Sequence, residues 1–200
     1  MMINAIKPIE TVYNGYRFRS RLEARWAVFL DALGVEYEYE PEGFELQNGM
    51  WYLPDFRVKC YGKRGEFNPS EWFYLYIEVK GRMTLEDAEK IDSFFNYPEI
   101  IDINEYPDLS KTNPVLVVDH IPDEKESPFP TWDEDNSIPP WAFNYETIDA
   151  DYFPAYPSAH NGKFYLWGGD SNYIRGEDIL PVRDAYKKAR QARFEHGETP

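Results

Sequence analysis

The sequence predicts an α/β core in the order helix, three strands, helix, strand, closing near residue 120. Three observations predict it. "RSRLEARWAVFLDALG" places Leu22, Trp26, Phe29, Leu30 and Leu33 on one face at helical spacing. Three runs rich in aromatic and β-branched residues follow, at residues 35–40, 51–60 and 71–80. Beyond a second amphipathic stretch lies "PVLVVD" (114–119), apolar throughout. That pattern suits a buried strand reached by a crossover, and so a central sheet of mixed orientation.

The first helix has Ser20 as its N-cap and Gly34 as the residue that ends it. "VEYEYE" alternates Val35, Tyr37 and Tyr39 against Glu36, Glu38 and Glu40, the mark of a half-solvated strand. "WYLPDFRVKC" and "EWFYLYIEVK", joined by the polar "YGKRGEFNPS", read as a hairpin or meander, with Pro54 placing the first at an edge or a bulge. Thr84 caps the second helix, with Leu85, Ala88, Ile91, Phe94 and Phe95 on its inner side. Residues 121–163 are rich in Pro, acidic and aromatic residues without a sustained period. They read as an irregular acidic insert packed on the core of residues 1–120, because Trp132, Trp141, Phe143 and Tyr145 are too many aromatics for a linker. Residues 164–200 complete the same domain with a strand at "KFYLWGGD" and a C-terminal helix over 181–198, Pro181 in its first turn.

The single cysteine, Cys60, excludes an internal disulfide framework and a cysteine-based zinc site. No window approaches the length of a membrane span, and "MMINAIKPIE" has no signal-peptide core, so the expectation is a cytoplasmic protein without a membrane partner. The net charge of −15 argues against a general polyanion binder. Its distribution qualifies that. Residues 1–90 carry 12 Lys/Arg against 15 Asp/Glu, residues 91–172 carry 3 against 16, and residues 173–200 carry 6 against 5. The acidity is concentrated in the middle of the chain.

Within "YIEVKGR", Glu78 and Lys80 sit two positions apart and so share one face of a strand. As a solvent-facing pair they would contribute little. "LPDF" adds a second carboxylate, Asp55, on a neighbouring strand. Two converging carboxylates make an oxygen-rich site for a hard divalent cation such as Mg²⁺. Such a cation can clamp a phosphate oxygen and acidify a water, while an ammonium beside it stabilises charge on phosphorus.

With 22 residues between Asp55 and Glu78, and a glutamate-bearing helix upstream, "PD…ExK" resembles the PD-(D/E)XK nuclease superfamily. The order of elements matches the αβββαβ core of its restriction-endonuclease-like fold. The block "YNGYRFRSRLEARWAVFLDALGVEYEYEPEGFEL", with "YLPDFRV" and "IEVKG", resembles a phage and bacterial branch of that superfamily, and "ARQARFEHGE" its closing helix. The likeness covers residues 11–120 and 164–198. It implies a Mg²⁺-dependent nuclease, Mn²⁺ being an alternative ion, that hydrolyses DNA and leaves a 5′-phosphate. It implies a phage or prophage origin, with the host cytoplasm as the place of action. Asp55 and Glu78 become metal ligands and Lys80 the catalytic lysine. Glu23 becomes the helix glutamate that reaches the metal or its water, although Ser20 and Glu23 also fit a capping box.

Arg17, Arg19, Arg21 and Arg25 cluster at the start of the first helix and read either as phosphate contacts or as solvated helix charges. Arg183, Lys187, Lys188, Arg190 and Arg193 carry the same two readings, and His120, His160 and His196 read as structural. Cutting both strands of a duplex would favour a homodimer. A rival from another class keeps the fold without catalysis: a decoy or anti-defence module that engages a protein partner through acidic residues 91–172.

Overall fold

Two residues in the left-handed region, Asn14 (φ 46°) and Gly15 (φ 83°), fold β1 (Thr11–Tyr13) back onto β2 (Tyr16–Phe18). That conformation gives a two-residue turn the twist its flanking strands need. The hairpin is absent from the elements expected above, although Asn-Gly between alternating residues signals it. The computed structural model to which it belongs describes residues 8–61, 72–95, 113–122, 141–143, 152–168 and 176–194.

Helix α1 (Arg21–Ala32) begins at Ser20, whose Oγ accepts from the Glu23 N–H at 3.2 Å, and ends before Gly34 at φ 69°. Trp26, Phe29 and Leu30 are buried as the helical spacing requires. Strand β3 (Tyr37–Tyr39) is shorter than expected, because Glu40 adopts φ 46° and turns the chain out of it. The run 51–60 is two strands rather than one. The break falls at Leu53 and Pro54, leaving β5 (Trp51–Tyr52) to pair with β4 (Phe44–Glu45) and β6 (Phe56–Tyr61) to join the main sheet. Strand β7 (Trp72–Val79) runs antiparallel to β6, helix α2 (Leu85–Phe95) crosses over, and β8 (Val115–Val118) returns parallel to β7. Ile91, Phe94 and Phe95 are the buried residues of α2, whereas Leu85, expected on its inner side, is 77% exposed in the first turn.

Part of the insert expected to be irregular is strand. Residues β9 (Trp141–Phe143) and β10 (Tyr152–His160) pair with each other, β9 extends the sheet from β8, and β11 (Lys163–Gly168) follows β10. Pro154 and Pro157 disguise β10, since proline argues against a paired strand. The main sheet has the order β11-β10-β9-β8-β7-β6-β3, and β11 also meets β6 in parallel at Phe164 and Cys60. The described fold is therefore mixed α/β, with three helices and a central sheet of mixed orientation. Helix α3 (Gly176–Gln191) starts earlier than expected and carries Pro181 inside it, where the missing N–H breaks one helical hydrogen bond. It ends at Gln191 rather than near Gly197, which lies outside the described residues.

The sheet is covered on both faces. Phe56, Val58, Cys60, Leu75, Ile77, Val79, Leu116, Val118 and Phe164 pack with α1 and α3, where Phe29 stacks on Tyr186 at 4.5 Å. Tyr76, Val115 and Val117 face the other way, onto Ile91 and Phe94 of α2 and Tyr52 of β5. No described helix is long and apolar enough to cross a membrane.

Candidate active site

The β6–β7 register pairs Phe56 with Ile77, so one step further brings Asp55 opposite Glu78. Both carboxylates are buried, at 6% and 3% exposure. Asp55 Oδ2 accepts the Val79 N–H at 2.7 Å, and Glu78 Oε2 accepts the Tyr52 hydroxyl at 2.8 Å. Strand pairing carries on past β7, with the Lys80 N–H donating to Val118 O at 2.8 Å. The alternation that placed Glu78 and Lys80 on one face thus persists, and Lys80 Nζ lies 2.8 Å from Glu78 Oε1. Asp55, Glu78 and Lys80 converge as the sequence led one to expect.

Electrostatics follow from crowding these charges under cover. Burial first, and then the Glu78 charge, push the Asp55 carboxyl well above the ordinary carboxylate range; the Val79 N–H and Lys80 pull the other way. Burial alone would lower Lys80, but Glu78 outweighs it, with Asp55 and Asp87 adding, so the ammonium is held above its ordinary value. Burial and the Glu78 carboxylate also hold the Tyr52 phenol protonated, a fixed donor to Glu78.

Glu23 is buried as well, and its charge adds to the upward shift of Asp55. Its carboxylate has three donors: Ser20 Oγ at 2.6 Å, the Arg19 N–H at 3.1 Å and the Tyr39 hydroxyl at 2.6 Å. The backbone bond goes to Arg19, one residue before the position a capping box uses. Glutamine can still accept from the Arg19 N–H and the Tyr39 hydroxyl through its amide oxygen while its amide nitrogen donates to Ser20 Oγ. Alanine leaves the part-buried Tyr39 hydroxyl without its acceptor, the Arg19 N–H keeping the Tyr39 oxygen at 3.0 Å. Glu23→Gln is therefore expected to cost less than about 1 kcal/mol in urea unfolding and Glu23→Ala about 1–3 kcal/mol. Equal, small losses in the two variants would show that this network carries no weight.

Two further residues join the candidate site: Tyr52, which escaped the sequence reading, and Asp87, which lies near the motif in sequence without a strong case of its own there. Tyr52 looked like one aromatic in a strand, but it faces Glu78 because the chain breaks at Pro54 and β5 leaves the main sheet. Asp87 lies 3.2 Å from Lys80 Nζ through Oδ1, while its Oδ2 accepts from the Thr84 N–H and hydroxyl at 3.0 and 2.6 Å. The spacing Thr84-x-x-Asp87 reads as a helix cap, which conceals the second contact. The Asp87 carboxyl titrates below its ordinary range: burial opposes this, but the Thr84 bonds and Lys80 prevail.

The four arginines at the start of α1 meet different partners or positions. Arg17 pairs with Glu10, Arg19 pairs with Glu40, and Arg25 Nε donates to Ala192 O at 3.4 Å, tying α1 to the end of α3; Arg21 opens α1. His120 is exposed beside Asp119, His160 is exposed at the end of β10, and His196 lies outside the described residues. Most acidic residues of segment 91–172, including Asp133, Glu134 and Asp135, also lie outside them.

Among the described residues, no group of three or more His, Cys, Asp or Glu side chains is arranged to hold a metal ion. Asp55 and Glu78 remain as a pair of buried carboxylates on adjoining strands, burial first and their mutual repulsion second raising the Asp55 carboxyl. A divalent cation sharing two such carboxylates would relieve that repulsion, so the donor set fits a hard cation bound largely by oxygen. No family model matches the chain, and no curated protein or solved structure matches it either.

Proposed function

We propose that this chain is a cation-dependent nuclease with a restriction-endonuclease-like core, hydrolysing DNA phosphodiester bonds at Asp55, Glu78 and Lys80. The observation that carries the reading is their convergence at one end of the β6–β7 pair, followed by a helical crossover into a parallel β8. A bulk surface pair does not account for it, because both carboxylates are buried at an energetic cost that folding alone does not require. Such a cost is common where charge serves chemistry.

Asp55 and Glu78 would hold Mg²⁺ or Mn²⁺, which supplies positive charge to the scissile phosphate and acidity to the attacking water. The remaining work falls to the chain. The Val79 N–H fixes Asp55, and the Tyr52 hydroxyl fixes Glu78, so neither carboxylate must reorganise. Lys80 Nζ presents a proton-bearing cation on the same face, where it stabilises charge building on phosphorus and orients the water. Glu23, held by Ser20, Arg19 and Tyr39, adds negative potential at Asp55.

One observation favours a second reading. The net charge is −15, and Arg17 and Arg19 are each neutralised by a glutamate, as a DNA-mimicking module engaging a basic protein would tolerate. Calorimetry separates the two. The nuclease reading expects saturable Mg²⁺ and Mn²⁺ binding that is lost in Asp55→Ala. Heat changes identical in the two proteins would leave the protein-binding module as the better account.

A further inference from the structure

We propose that Asp87 is a positioning residue, keeping the Lys80 ammonium at the site when Glu78 is engaged by a ligand. The inference rests on the reading of Asp55, Glu78 and Lys80 as a cleavage site. Lys80 Nζ has two anchors, Glu78 Oε1 at 2.8 Å and Asp87 Oδ1 at 3.2 Å. They are not equivalent. Glu78 is the buried carboxylate that a cation would share, and any cation drawn to it competes with the ammonium for the same oxygen. Asp87 stands apart from the Asp55–Glu78 pair, at the first turn of α2. Its Oδ2 is taken by the Thr84 N–H and hydroxyl, which aims Oδ1 at Lys80.

The helix that carries Asp87 is anchored at its far end. At the far end of α2, Phe94 and Phe95 are buried, and Asn113 donates to Phe94 O from its side chain and to Phe95 O from its backbone. Phe94 also lies against the Tyr52 ring at 4.7 Å. One helix therefore braces Glu78 through Tyr52 and Lys80 through Asp87. A lysine stem otherwise has several rotatable bonds to freeze, and a second charged anchor on a fixed helix supplies that order in advance. Capping needs only the Thr84–Asp87 bonds, so the contact with Lys80 is additional to the cap.

Asp87→Asn separates the two roles, since asparagine still accepts from the Thr84 N–H but presents no charge to Lys80. In cleavage assays with Mg²⁺ we expect kcat to fall about tenfold with KM nearly unchanged and the melting temperature only slightly lowered, within the roughly 10²-fold that misplacing a catalytic group can cost. Asp87→Glu should recover part of that loss. A second readout needs no catalysis: side-chain relaxation of the Lys80 ε-carbon in metal-free protein. In Glu78→Gln, Lys80 should stay ordered through Asp87, and in Glu78→Gln/Asp87→Asn it should become motionally averaged. Wild-type turnover in Asp87→Asn, or a Lys80 signal already averaged in Glu78→Gln, would overturn the proposal. If the wild-type protein cuts no nucleic acid, the nuclease reading fails, and the relaxation pair alone decides the role of Asp87.

Discussion

Asp55→Asn should abolish cleavage and at the same time make the protein harder to melt. The amide keeps an oxygen for the Val79 N–H, so the bond at 2.7 Å survives, while the charge that repels Glu78 disappears. The sign of the pH dependence follows from the direction of the shift. A carboxyl raised in the folded state destabilises the fold once pH rises past its unfolded value, near 4, because folding then has either to take up a proton that the unfolded chain has released or to bury the charge. In EDTA at neutral pH, Asp55→Asn should therefore melt at least about 2 °C above wild type, the shift that ~1 kcal/mol gives in a chain of this length. The difference should shrink toward zero as pH falls through 4, where both side chains are neutral. A variant that melts lower than wild type at neutral pH would mean that the Asp55 charge stabilises the fold, and the strained-site argument would fail.

Lys80→Ala should lower turnover by about 10²–10⁴-fold, the range for removing a positioned proton donor or charge-stabilising group. Its effect on cation binding should run the other way. Lys80 occupies Glu78 Oε1 at 2.8 Å, so its removal frees that oxygen, and Mg²⁺ affinity should hold or rise. A loss of both binding and turnover would point to collapse of the site rather than to the absence of one ammonium. Calorimetry and single-turnover kinetics on one preparation read both quantities.

The sequence showed most of what is local and periodic. Trp26, Phe29 and Leu30 gave α1 its face, Ser20 and Gly34 its ends, and "VLVV" its place as a buried strand. The site was legible for the same reason. Alternation put Glu78 and Lys80 on one face, and antiparallel pairing set Asp55 across from Glu78. What escaped depended on contacts distant in sequence or on proline. Pro54 concealed the switch that sends Tyr52 to Glu78, and Pro154 and Pro157 masked a strand that pairs on both sides. Leu85 fitted an apolar period by chance and faces solvent, because the first turn of α2 projects beyond the core. The linear sequence also does not reveal that Glu10, Glu40 and the Ala192 carbonyl come to meet Arg17, Arg19 and Arg25.

The claim at the centre of this account is that Asp55, Glu78 and Lys80 act together on a phosphodiester. End-labelled DNA in single-stranded, duplex and branched forms, incubated with wild-type protein in Mg²⁺, Mn²⁺ or EDTA, tests it most directly. Asp55→Asn and Lys80→Ala should be purified and assayed in parallel. Expected are cleavage of at least one substrate with either cation, products bearing a 5′-phosphate, no cleavage in EDTA or by Asp55→Asn, and cleavage slowed by about 10²-fold or more in Lys80→Ala. Cleavage that survives unchanged in Asp55→Asn, or that proceeds equally in EDTA, would contradict it.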